Sequence, residues 1–415
     1  MKKFGVIGRK LGHSYSPQIH AELGDYAYGV YEMEPEELES FLHTTDLDGF
    51  NVTIPYKKAV IPHLCRISRE AELLGSVNTV VRTPEGLYGD NTDYYGFSYM
   101  LEKSGFSLAG KKALVLGNGG VCPTVCAVLS DRGAGEVVVI SRSGENNYDN
   151  LDRHADAALI VNTTPVGMYP EAGVSPLETL DIFPRLECVL DLIYNPFQTA
   201  LMAQAQAKGI ASLGGISMLV AQAKRASELF VQTDIADAVT ERVVASIVCR
   251  QRNIVLIGMP GCGKSTLGRA LAKKLDRTFV DTDEEIVKEA GRPIPEIFAN
   301  EGEDAFRRLE SRVLARVGKQ SAQVIATGGG VVTREENYPS LSQNGVLIFI
   351  ERELSQLARD GRPLSLNNSL EEMYAKRLPL YRRFADGTVF GNGNVEETTE
   401  KLMEAVNEIS CTQRT

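Results

Sequence analysis

The sequence predicts an α/β protein with parallel sheets and more than one domain. Short apolar runs typical of buried strands alternate with helix-forming segments along the chain. A glycine-rich turn stands between such a run and a helix at two places, residues 117–121 and 258–265. Because 415 residues exceed what one ordinary core needs, we expect roughly two or three domains.

The strand prediction depends on apolar runs, which cover residues 112–116, 136–140, 158–161, 254–257, 324–326 and 346–350. Domain boundaries are expected near residues 93–110 and 250–252. Before the second boundary, the apolar spacing predicts a helix over 234–248 with Asp234 as its N-cap. Since residues 250–252 include no Gly, Pro or Ser, we expect a stiff helical connector that holds the two halves in a fixed orientation.

The composition excludes several classes of protein. Hydrophobic residues make up 43% and charged residues 24% of the chain, and no run approaches the roughly 20 apolar residues of a membrane span. A net charge of −10 argues against a nucleic-acid partner but allows small anionic ligands. The opening residues leave no space for a signal peptide, and the seven cysteines lack metal-ligand spacing, so a cytoplasmic protein with reduced thiols is expected.

The turn at residues 258–265 has the pattern of a phosphate-binding loop. It follows a strand predicted over 253–257 and precedes a helix predicted over 266–274. In such a loop, backbone N–H groups converge on phosphates at a helix N-terminus. The residues predicted to hold ATP are Gly261, Cys262, Gly263, Lys264, Ser265 and Thr266. Lys264 is expected to reach the β and γ phosphates, and Ser265 is expected to bind Mg²⁺.

Two carboxylates stand at the end of the next predicted strand. Asp281 and Asp283 have the spacing of two residues that puts strand side chains on one face. One of the two carboxylates can hold Mg²⁺ while the other orients or deprotonates a hydroxyl for in-line attack, and we assign the metal to Asp281. The alternative interpretation is that this Asp-x-Asp segment is only a turn or a helix cap.

The residues around these motifs resemble the shikimate kinases from Asn253 to about Asp386. The matching stretches are residues 281–283, 297–298, 302–310, 327–330, 361–364 and 377–381. The resemblance implies a P-loop kinase domain with a parallel sheet and a mobile lid that carries Arg362. It also implies that shikimate is held by Asp283, Arg307, Arg377 and the backbone of Gly328, Gly329 and Gly330. Arginine suits this role because its planar fork matches a carboxylate bidentately. Ser365 stands where the family usually has leucine, so the packing of the lid is expected to differ.

The turn at residues 117–121 lies between a predicted strand and a helix predicted over 121–129, where a dinucleotide pyrophosphate can bind. Cys122 takes the place of the third glycine of the usual pattern. The next strand ends at Arg142 without an acidic residue for an NAD ribose, and this arginine suits the 2′-phosphate of NADP. Alternatively, Arg142 is only an exposed charge at a strand end. The residues assigned to the coenzyme are Gly117, Asn118, Gly119, Gly120, Val121, Ser141, Arg142, Ser143 and Gly215.

The first half also resembles the shikimate dehydrogenases over about residues 2–230. The matching motifs are residues 12–17, 51–57, 77–79, 89–93, 162–168, 191–196 and 215–222. The resemblance implies an α/β substrate domain and a Rossmann-like NADP domain. It implies that the acid's carboxylate and hydroxyls are bound by Ser14, Ser16, Thr53, Asn78, Tyr194 and Gln222, with Lys57 and Asp93 at the reacting carbon. The stretch from His20 to Tyr31 is shorter than usual in the family, and we expect it to reshape the domain edge without touching these residues.

Redox chemistry explains why Lys57 and Asp93 would act together. Hydride delivery to a ketone leaves an alkoxide that must gain a proton, and a lysine beside a carboxylate can donate that proton and be recharged. Coupled groups titrate as a pair, so the sequence does not decide which of the two carries the proton.

Together, the two resemblances predict consecutive reactions on one chain. These are NADPH-dependent reduction of 3-dehydroshikimate to shikimate and ATP-dependent phosphorylation of shikimate to shikimate 3-phosphate, with Mg²⁺ required. The predicted domains are residues 1–93, completed by helices in 210–250, then 94–209 and 253–415. Two alternatives remain at this point: a quinate-type dehydrogenase with a related polyol kinase, and a nucleotide-sensing regulator that binds without turnover.

Overall fold

The computed structural model describes residues 1–12, 14–357 and 370–412. The chain divides into two compact units. Unit 1 consists of Met1–Val166, Ser175–Tyr194 and Leu201–Ile247, and unit 2 consists of Gly167–Val174, Asn195–Ala200 and Val248–Thr415. Unit 1 contains most of the first two predicted domains together, so their division near residue 93 stays a prediction.

The first sheet of unit 1 is mixed. Its strands are β1 (Lys3–Gly8), β2 (Ala27–Glu32), β3 (Gly49–Val52), β4 (Arg66–Ile67), β5 (Thr79–Thr83) and β6 (Gly86–Asp90), in the order β2-β1-β3-β5-β6-β4. Strand β1 pairs in parallel with β2 and β3, whereas β5 is antiparallel to both β3 and β6. The parallel pattern expected along the chain therefore does not hold here. The connection from β5 to β6 is too short for the crossover that a parallel pair requires.

The second sheet of unit 1 is parallel throughout, as predicted. Its strands are β7 (Lys112–Leu116), β8 (Glu136–Ile140), β9 (Leu159–Asn162), β10 (Cys188–Asp191) and β11 (Ala211–Gly214), in the order β11-β10-β9-β7-β8. Leu114 and Val115 point to opposite faces of the sheet, and both are fully buried in separate apolar clusters. Strands covered on both faces lack apolar–polar alternation, which is why these runs are continuously apolar in the sequence.

Eight helices accompany these two sheets in the part of the chain that the structure describes. They are α1 (Ser16–Leu23), α2 (Leu38–Thr44), α3 (Arg69–Leu74), α4 (Thr92–Lys103), α5 (Cys122–Asp131), α6 (Ala200–Ala207), α7 (Ile216–Val231) and α8 (Asp237–Gln251). Helix α7 returns to the first sheet, where Phe230 stacks on Phe4 with ring centroids 4.3 Å apart. This return of the chain was expected from the sequence.

Helix α8 begins later than predicted. The N-cap was assigned to Asp234, but the first helical residue is Asp237, whose carboxylate accepts a hydrogen bond of 2.6 Å from the buried Lys224 on α7. This long-range ion pair fixes the start of the helix, and local capping patterns do not contain that information. At its other end the helix runs to Gln251, and the next strand begins at Asn253, so the predicted helical connector is present.

Unit 2 contains the third sheet, which is also parallel. Its strands are β12 (Asn253–Ile257), β13 (Thr278–Asp281), β14 (Gln323–Ala326), β15 (Gly345–Glu351) and β16 (Gly387–Phe390), in the order β13-β14-β12-β15-β16. Its helices are α9 (Lys264–Leu275), α10 (Thr282–Ala290), α11 (Ile294–Gly318), α12 (Asn337–Ser342), α13 (Leu370–Phe384) and α14 (Val395–Thr412). Helix α11 is kinked at Gly302, where a φ of 80° suits a residue without a Cβ.

The prediction that Asp281 and Asp283 lie on one face of a strand was wrong. Strand β13 ends at Asp281, and Asp283 lies in the first turn of α10. The Asp281 carboxylate accepts a hydrogen bond of 3.0 Å from the Asp283 N–H and so caps the helix. A spacing of two residues looks the same in a strand and across a helix cap, and here the cap forms.

Short 3₁₀ turns complete the two units at Pro35–Glu37, Ile61–His63, Tyr148–His154, Val331–Thr333 and Leu354–Gln356. Within the described ranges, we find no helix that combines the length and the apolar character needed to cross a membrane.

Candidate active sites

Unit 1 contains a cavity of about 660 Å³ that brings together the residues predicted to bind the acid substrate. Its lining includes Ser14, Ser16, Thr53, Lys57, Asn78, Asp93, Tyr194 and Gln222. These residues come from the loops after β1, β3 and β10 and from helices α1, α4 and α7, together with Asn78 just before β5. His13, which belongs to one of the predicted motifs, lies outside the described residues.

Lys57 and Asp93 form an ion pair in this cavity. The Lys57 Nζ lies 2.6 Å from Asp93 Oδ2, and the two side chains are 30% and 16% exposed. A hydrogen bond of 2.8 Å from the Val77 N–H to the Lys57 carbonyl fixes the lysine backbone. Asp93 lies in the first turn of α4, where the helix dipole favours a negative charge. The pair is therefore held at the cavity surface while remaining accessible to a substrate.

Two amide side chains connect the elements around this ion pair. Asn78 accepts a hydrogen bond of 2.7 Å from the Thr92 N–H at the start of α4. The Thr92 hydroxyl lies 3.3 Å from Gln222 Oε1 on α7. Helix α4, which carries Asp93, is therefore fixed to the first sheet of unit 1 through Asn78 and to α7 through Gln222. Both of these residues also line the cavity.

Ser14, Ser16 and Tyr194 supply hydroxyl groups at the cavity wall. The Ser14 oxygen accepts a hydrogen bond of 3.2 Å from the Ser16 N–H, which leaves the Ser14 proton available for a ligand. Burial raises the pKa of the Tyr194 phenol, so this group stays protonated and can donate to a carboxylate. The ring of Tyr194 packs against Tyr15 with centroids 5.5 Å apart.

The structure adds lining residues that the sequence analysis did not assign. Asn51 on β3 lines the cavity and is buried, and Lys10 lies in the wall. Asn51 belongs to the quoted motif 51–57, so that motif was a signal that could have identified it. Tyr28, from the short stretch between His20 and Tyr31, donates a hydrogen bond to Asn51. The expectation that this stretch touches none of the assigned ligands stays a prediction.

Except for Gly215, which follows β11, the predicted coenzyme residues lie at the carboxyl ends of two adjacent strands. Residues 117–121 follow β7, and Ser141, Arg142 and Ser143 follow β8, which pairs with β7. Val121 and Gly215 line the substrate cavity as well. Arg142 is exposed, as a residue must be to meet the 2′-phosphate of a bound coenzyme.

The backbone of this turn fits a dinucleotide. Gly117 has a φ of 95°, and a Cβ there would lie 2.7 Å from the Thr164 side chain. Around Gly119 and Gly120 no other atom lies within 4 Å of an added Cβ in the described structure, so the space over the N-terminus of α5 is open. Open backbone at a helix N-terminus lets N–H groups reach a pyrophosphate.

In unit 2 the predicted phosphate loop has the required backbone. Gly258, Gly261 and Gly263 have φ values of 148°, 87° and 98°, which residues with a Cβ rarely adopt. Lys264 is buried at the start of α9 and donates to the carbonyls of Gly258 and Met259 at 2.8 and 2.9 Å. Cys262 is fully buried beneath the loop. Only its backbone is placed to contribute to phosphate binding.

The predicted Mg²⁺ residues are in contact with each other. The Ser265 hydroxyl donates a hydrogen bond of 2.6 Å to Asp281 Oδ2. A hydroxyl and a carboxylate beside a phosphate loop form an all-oxygen set, which is the kind that Mg²⁺ prefers. Asp281 therefore combines a helix cap with a position suited to the metal.

A second cavity, of about 650 Å³, joins this loop to the predicted shikimate residues. Its lining includes Lys264, Ser265, Asp281, Asp283, Arg307, Gly328, Gly329, Gly330 and Arg377. Arg307 donates to Glu310 at 2.7 Å and to Glu303 at 3.2 Å. A Cβ on Gly330 would lie 2.2 Å from the Arg307 guanidinium, so a larger residue there would have to displace this side chain. Arg377 donates to the Gly329 carbonyl at 3.1 Å.

Glu310 is a further cavity residue to which the sequence analysis gave no role. Its side chain is 1% exposed, and within the described structure its buried Oε1 has no hydrogen-bond partner. Burial raises the pKa of this carboxyl, and the Arg307 guanidinium opposes the shift. An acceptor without a donor in a polar cavity fits a ligand that brings hydroxyl groups. The predicted lid residue Arg362 lies outside the described residues.

Two sequence families match the chain. The shikimate dehydrogenase substrate binding domain matches residues 6–80, and the shikimate kinase family matches residues 260–407. The shikimate dehydrogenase (NADP(+)) of Clostridium perfringens strain 13 is 33% identical over 271 residues, which is 60% of this chain and 100% of that protein. The Shouchella clausii protein of the same name is 38% identical over 248 residues, or 53% of this chain and 90% of the relative.

Solved structures agree with this result. A chorismate mutase/shikimate 5-dehydrogenase fusion protein from Clostridium acetobutylicum is 32% identical with a TM-score of 0.56, covering 59% of this chain and 97% of that one. Shikimate 5-dehydrogenase from Thermus thermophilus, solved with NADP(H) and shikimate, is 31% identical with a TM-score of 0.54, covering 59% and 99%. This chain therefore belongs to the shikimate dehydrogenase family, and it continues into a shikimate kinase domain on the same polypeptide.

Proposed function

We propose that the two units catalyse consecutive reactions, and that the product of the first reaction is the substrate of the second. Unit 1 reduces 3-dehydroshikimate to shikimate with NADPH, and unit 2 phosphorylates shikimate with Mg²⁺ and ATP. The observation that supports this most is the Lys57–Asp93 ion pair of 2.6 Å in a cavity lined by hydroxyls and amides. Such a site can bind a hydroxylated acid and supply a proton to a reduced carbonyl.

In the first step, the protein binds the substrate and controls one proton. Ser14, Ser16 and Tyr194 hold the carboxylate, and Asn78 and Gln222 bind hydroxyls. NADPH supplies the hydride when it is bound at the turn after β7. The Lys57–Asp93 pair donates a proton to the oxygen of the reacting carbon, and contact with solvent lets the pair recover that proton.

In the second step, the protein positions an acceptor hydroxyl against a phosphate. Arg307 and Arg377 hold the shikimate carboxylate, and Asp283 orients the attacking hydroxyl. Glu310 accepts a hydrogen bond from another hydroxyl through its unpartnered oxygen. ATP supplies the phosphoryl group, while Lys264 and the loop N–H groups neutralise the charge on the phosphates.

The predicted domain limits and the cellular location belong to this proposal. Residues 1–93 with helices from 210–250 would form the substrate domain, 94–209 the NADP domain and 253–415 the kinase domain. A protein with these two activities would act in the cytoplasm, where NADPH and ATP are available. The seven cysteines without metal-ligand spacing support that location.

A coupled assay on the purified protein tests the proposal. NADPH absorbance is followed with 3-dehydroshikimate, Mg·ATP is then added, and shikimate 3-phosphate is detected by mass spectrometry. Loss of NADPH followed by phosphorylated product is expected. The absence of NADPH oxidation would contradict the dehydrogenase assignment and favour a sensor, whereas NADPH oxidation without phosphorylation would contradict the kinase assignment. Turnover of quinate in the reverse direction, compared with shikimate, distinguishes the related polyol enzyme.

The coenzyme preference is tested at Arg142. If its guanidinium binds the 2′-phosphate, Arg142→Ala should raise the KM for NADPH about 10-fold or more, because it removes a charge-assisted contact. The KM for NADH should change by less than about two-fold on the same reasoning. Arg153→Ala is a matched control, since Arg153 is also an exposed arginine of unit 1. Equal effects on both coenzymes would mean that Arg142 does not recognise the phosphate.

A further inference from the structure

A group of buried and half-buried polar side chains lies next to the substrate cavity of unit 1 and includes its lining residue Asn51. Tyr28 on β2 donates a hydrogen bond of 2.7 Å to Asn51 Oδ1 on β3. The ring of His20 on α1 stacks on Tyr28 with centroids 4.0 Å apart and planes within 10°. The Tyr26 hydroxyl lies 2.7 Å from His20 Nδ1, and it donates a hydrogen bond of 2.9 Å to the Ser227 hydroxyl on α7. The hydrogen bond from Tyr28 to Asn51 connects this group to the cavity wall.

The sheet register explains how Tyr28 reaches the cavity. On one side of β1, Phe4 pairs with Tyr28, and on the other side Val6 pairs with Asn51. Phe4 and Val6 are two residues apart and so lie on the same face of the sheet. The side chains of Tyr28 and Asn51 therefore share that face, and the tyrosine crosses over β1 to meet the amide.

The Tyr28 hydroxyl fixes the orientation of the Asn51 amide. Asn51 Oδ1 accepts a hydrogen bond from Tyr28, so Asn51 Nδ2 must point the other way. This nitrogen donates a hydrogen bond of 3.0 Å to the Thr79 hydroxyl. The Tyr28 phenol thus contacts Asn51 of the cavity lining and is not itself among the described lining residues.

His20 keeps this arrangement rigid. It is 1% exposed and stacked on Tyr28, and the phenol of Tyr26 hydrogen-bonds its ring. Burial lowers the pKa of His20 to about 3, so the ring is neutral at physiological pH. A neutral ring packs against the phenol without placing a positive charge beside the cavity. The side chain of Tyr28 therefore has little freedom to leave Asn51.

We propose that Tyr28 is a positioning residue for the acid substrate, acting through Asn51, with His20 holding its ring in place. The inference depends on the proposed dehydrogenase function and assigns a role to the stretch between His20 and Tyr31. Because Tyr28 does not touch the reacting atoms, it affects how well the substrate is bound and leaves the chemical step unchanged.

The test is Tyr28→Phe, which removes one oxygen and retains the stacked ring. The KM for 3-dehydroshikimate should rise about 3- to 10-fold, the range expected for one neutral hydrogen bond. We expect kcat and the KM for NADPH to stay within about two-fold, because only ground-state substrate binding is weakened. Tyr31→Phe is the matched control on the same strand, and it should behave like the wild type. The shikimate kinase activity of each preparation reports whether the rest of the chain is intact.

A double-mutant cycle shows whether Tyr28 acts through Asn51. If it does, Tyr28→Phe combined with Asn51→Ala should raise the KM no more than Asn51→Ala alone. Fully additive effects, an unchanged KM in Tyr28→Phe, or an equal loss of kcat and substrate affinity would each overturn the inference. Wild-type protein that oxidises no NADPH would instead overturn the proposed function and the inference with it, so the two failures are distinguishable.

Discussion

The position of Lys57 is fixed by contacts of its own carbonyl and of the preceding residue. Its carbonyl is fixed by the Val77 N–H, and the preceding Tyr56 is fully buried with its hydroxyl on the Met33 carbonyl. The side chain is thereby directed to Asp93 at 2.6 Å. An isolated surface lysine has no such anchoring, and this difference supports a chemical role.

Lys57→Met should remove the proton donor and keep most of the side-chain volume. The kcat for 3-dehydroshikimate reduction should fall about 10²- to 10⁴-fold, which is the usual contribution of a general acid. Lys58→Met is the matched control, because Lys58 is the exposed neighbour in the same segment. Steady-state NADPH oxidation measures both. If Lys57→Met retained wild-type kcat, the proton would have to come from another group.

His20 links the substrate domain's stability to pH. Its folded pKa of about 3 lies below the ordinary value of 6.5. Between these values the unfolded chain binds a proton that the folded protein does not, so stability rises with pH. The contribution is present above pH 6.5 and is lost as the pH falls toward 3.

His20→Gln should therefore make the stability of the folded protein depend less on pH. The urea midpoint for loss of dehydrogenase activity should fall less steeply between pH 6.5 and about pH 5 than it does for the wild type. His43→Gln replaces an exposed histidine on α2, and it should keep the wild-type slope. The same slope in all three proteins would show that His20 is not the group responsible.

Among the secondary-structure elements, α10 shows how one residue can serve both folding and catalysis. Asp281 ends β13, caps α10 and accepts a hydrogen bond from Ser265. Asparagine also caps helices well, whereas alanine does not. Substitutions at this position can therefore separate the cap from the metal site.

Asp281→Asn should raise the Mg²⁺ concentration for half-maximal kinase activity about 10- to 100-fold or more, because it removes the charge of a predicted metal ligand and the loss of an outer-shell partner alone has an effect of that size. Its thermal stability should stay close to that of the wild type. Asp281→Ala should show the same Mg²⁺ effect and also lose about 1 kcal/mol of stability with the cap. Kinase assays across a Mg²⁺ titration, together with thermal unfolding, measure the two effects. Normal Mg²⁺ dependence in both variants would place the metal elsewhere.

The elements also show where sequence patterns succeed and fail. The strands β7, β8 and β12 begin and end at or within one residue of the predicted limits, because continuous apolar runs are unambiguous in buried parallel sheets. The start of α8 and the end of β13 were placed incorrectly. Both depend on side-chain contacts, Lys224 with Asp237 and Asp281 with the backbone of Asp283, that local periodicity does not encode.

At the scale of the whole molecule, each unit has its own apolar core. One cluster in unit 2 surrounds β12 and β15, and separate clusters in unit 1 cover the two faces of the sheet that contains β7. Among the residues that the structure describes, the lining of each cavity comes from its own unit. We therefore expect the two activities to be separable by point substitution.

Lys264→Met should abolish phosphoryl transfer, because it removes the cation at the β and γ phosphates. The NADPH oxidation rate should stay within about two-fold of the wild type, since the substituted residue has no role in the dehydrogenase reaction. An equimolar mixture of Lys57→Met and Lys264→Met proteins should convert 3-dehydroshikimate to shikimate 3-phosphate. A large loss of dehydrogenase activity in Lys264→Met would mean that the two sites are coupled.

The sequence by itself determined the α/β class, the two glycine-rich turns and the family of each half. Each of those features depends on contiguous residues, because local backbone geometry and burial determine where glycines and apolar residues occur along a segment. Only the tertiary structure decided the distance of 2.6 Å between Lys57 and Asp93, the position of Glu310 beside Arg307 in a cavity, and the hydrogen bond from Tyr28 to Asn51. These contacts depend on strand register and helix packing. Such arrangements are fixed by the combined burial of many side chains, and no single segment of the chain specifies them.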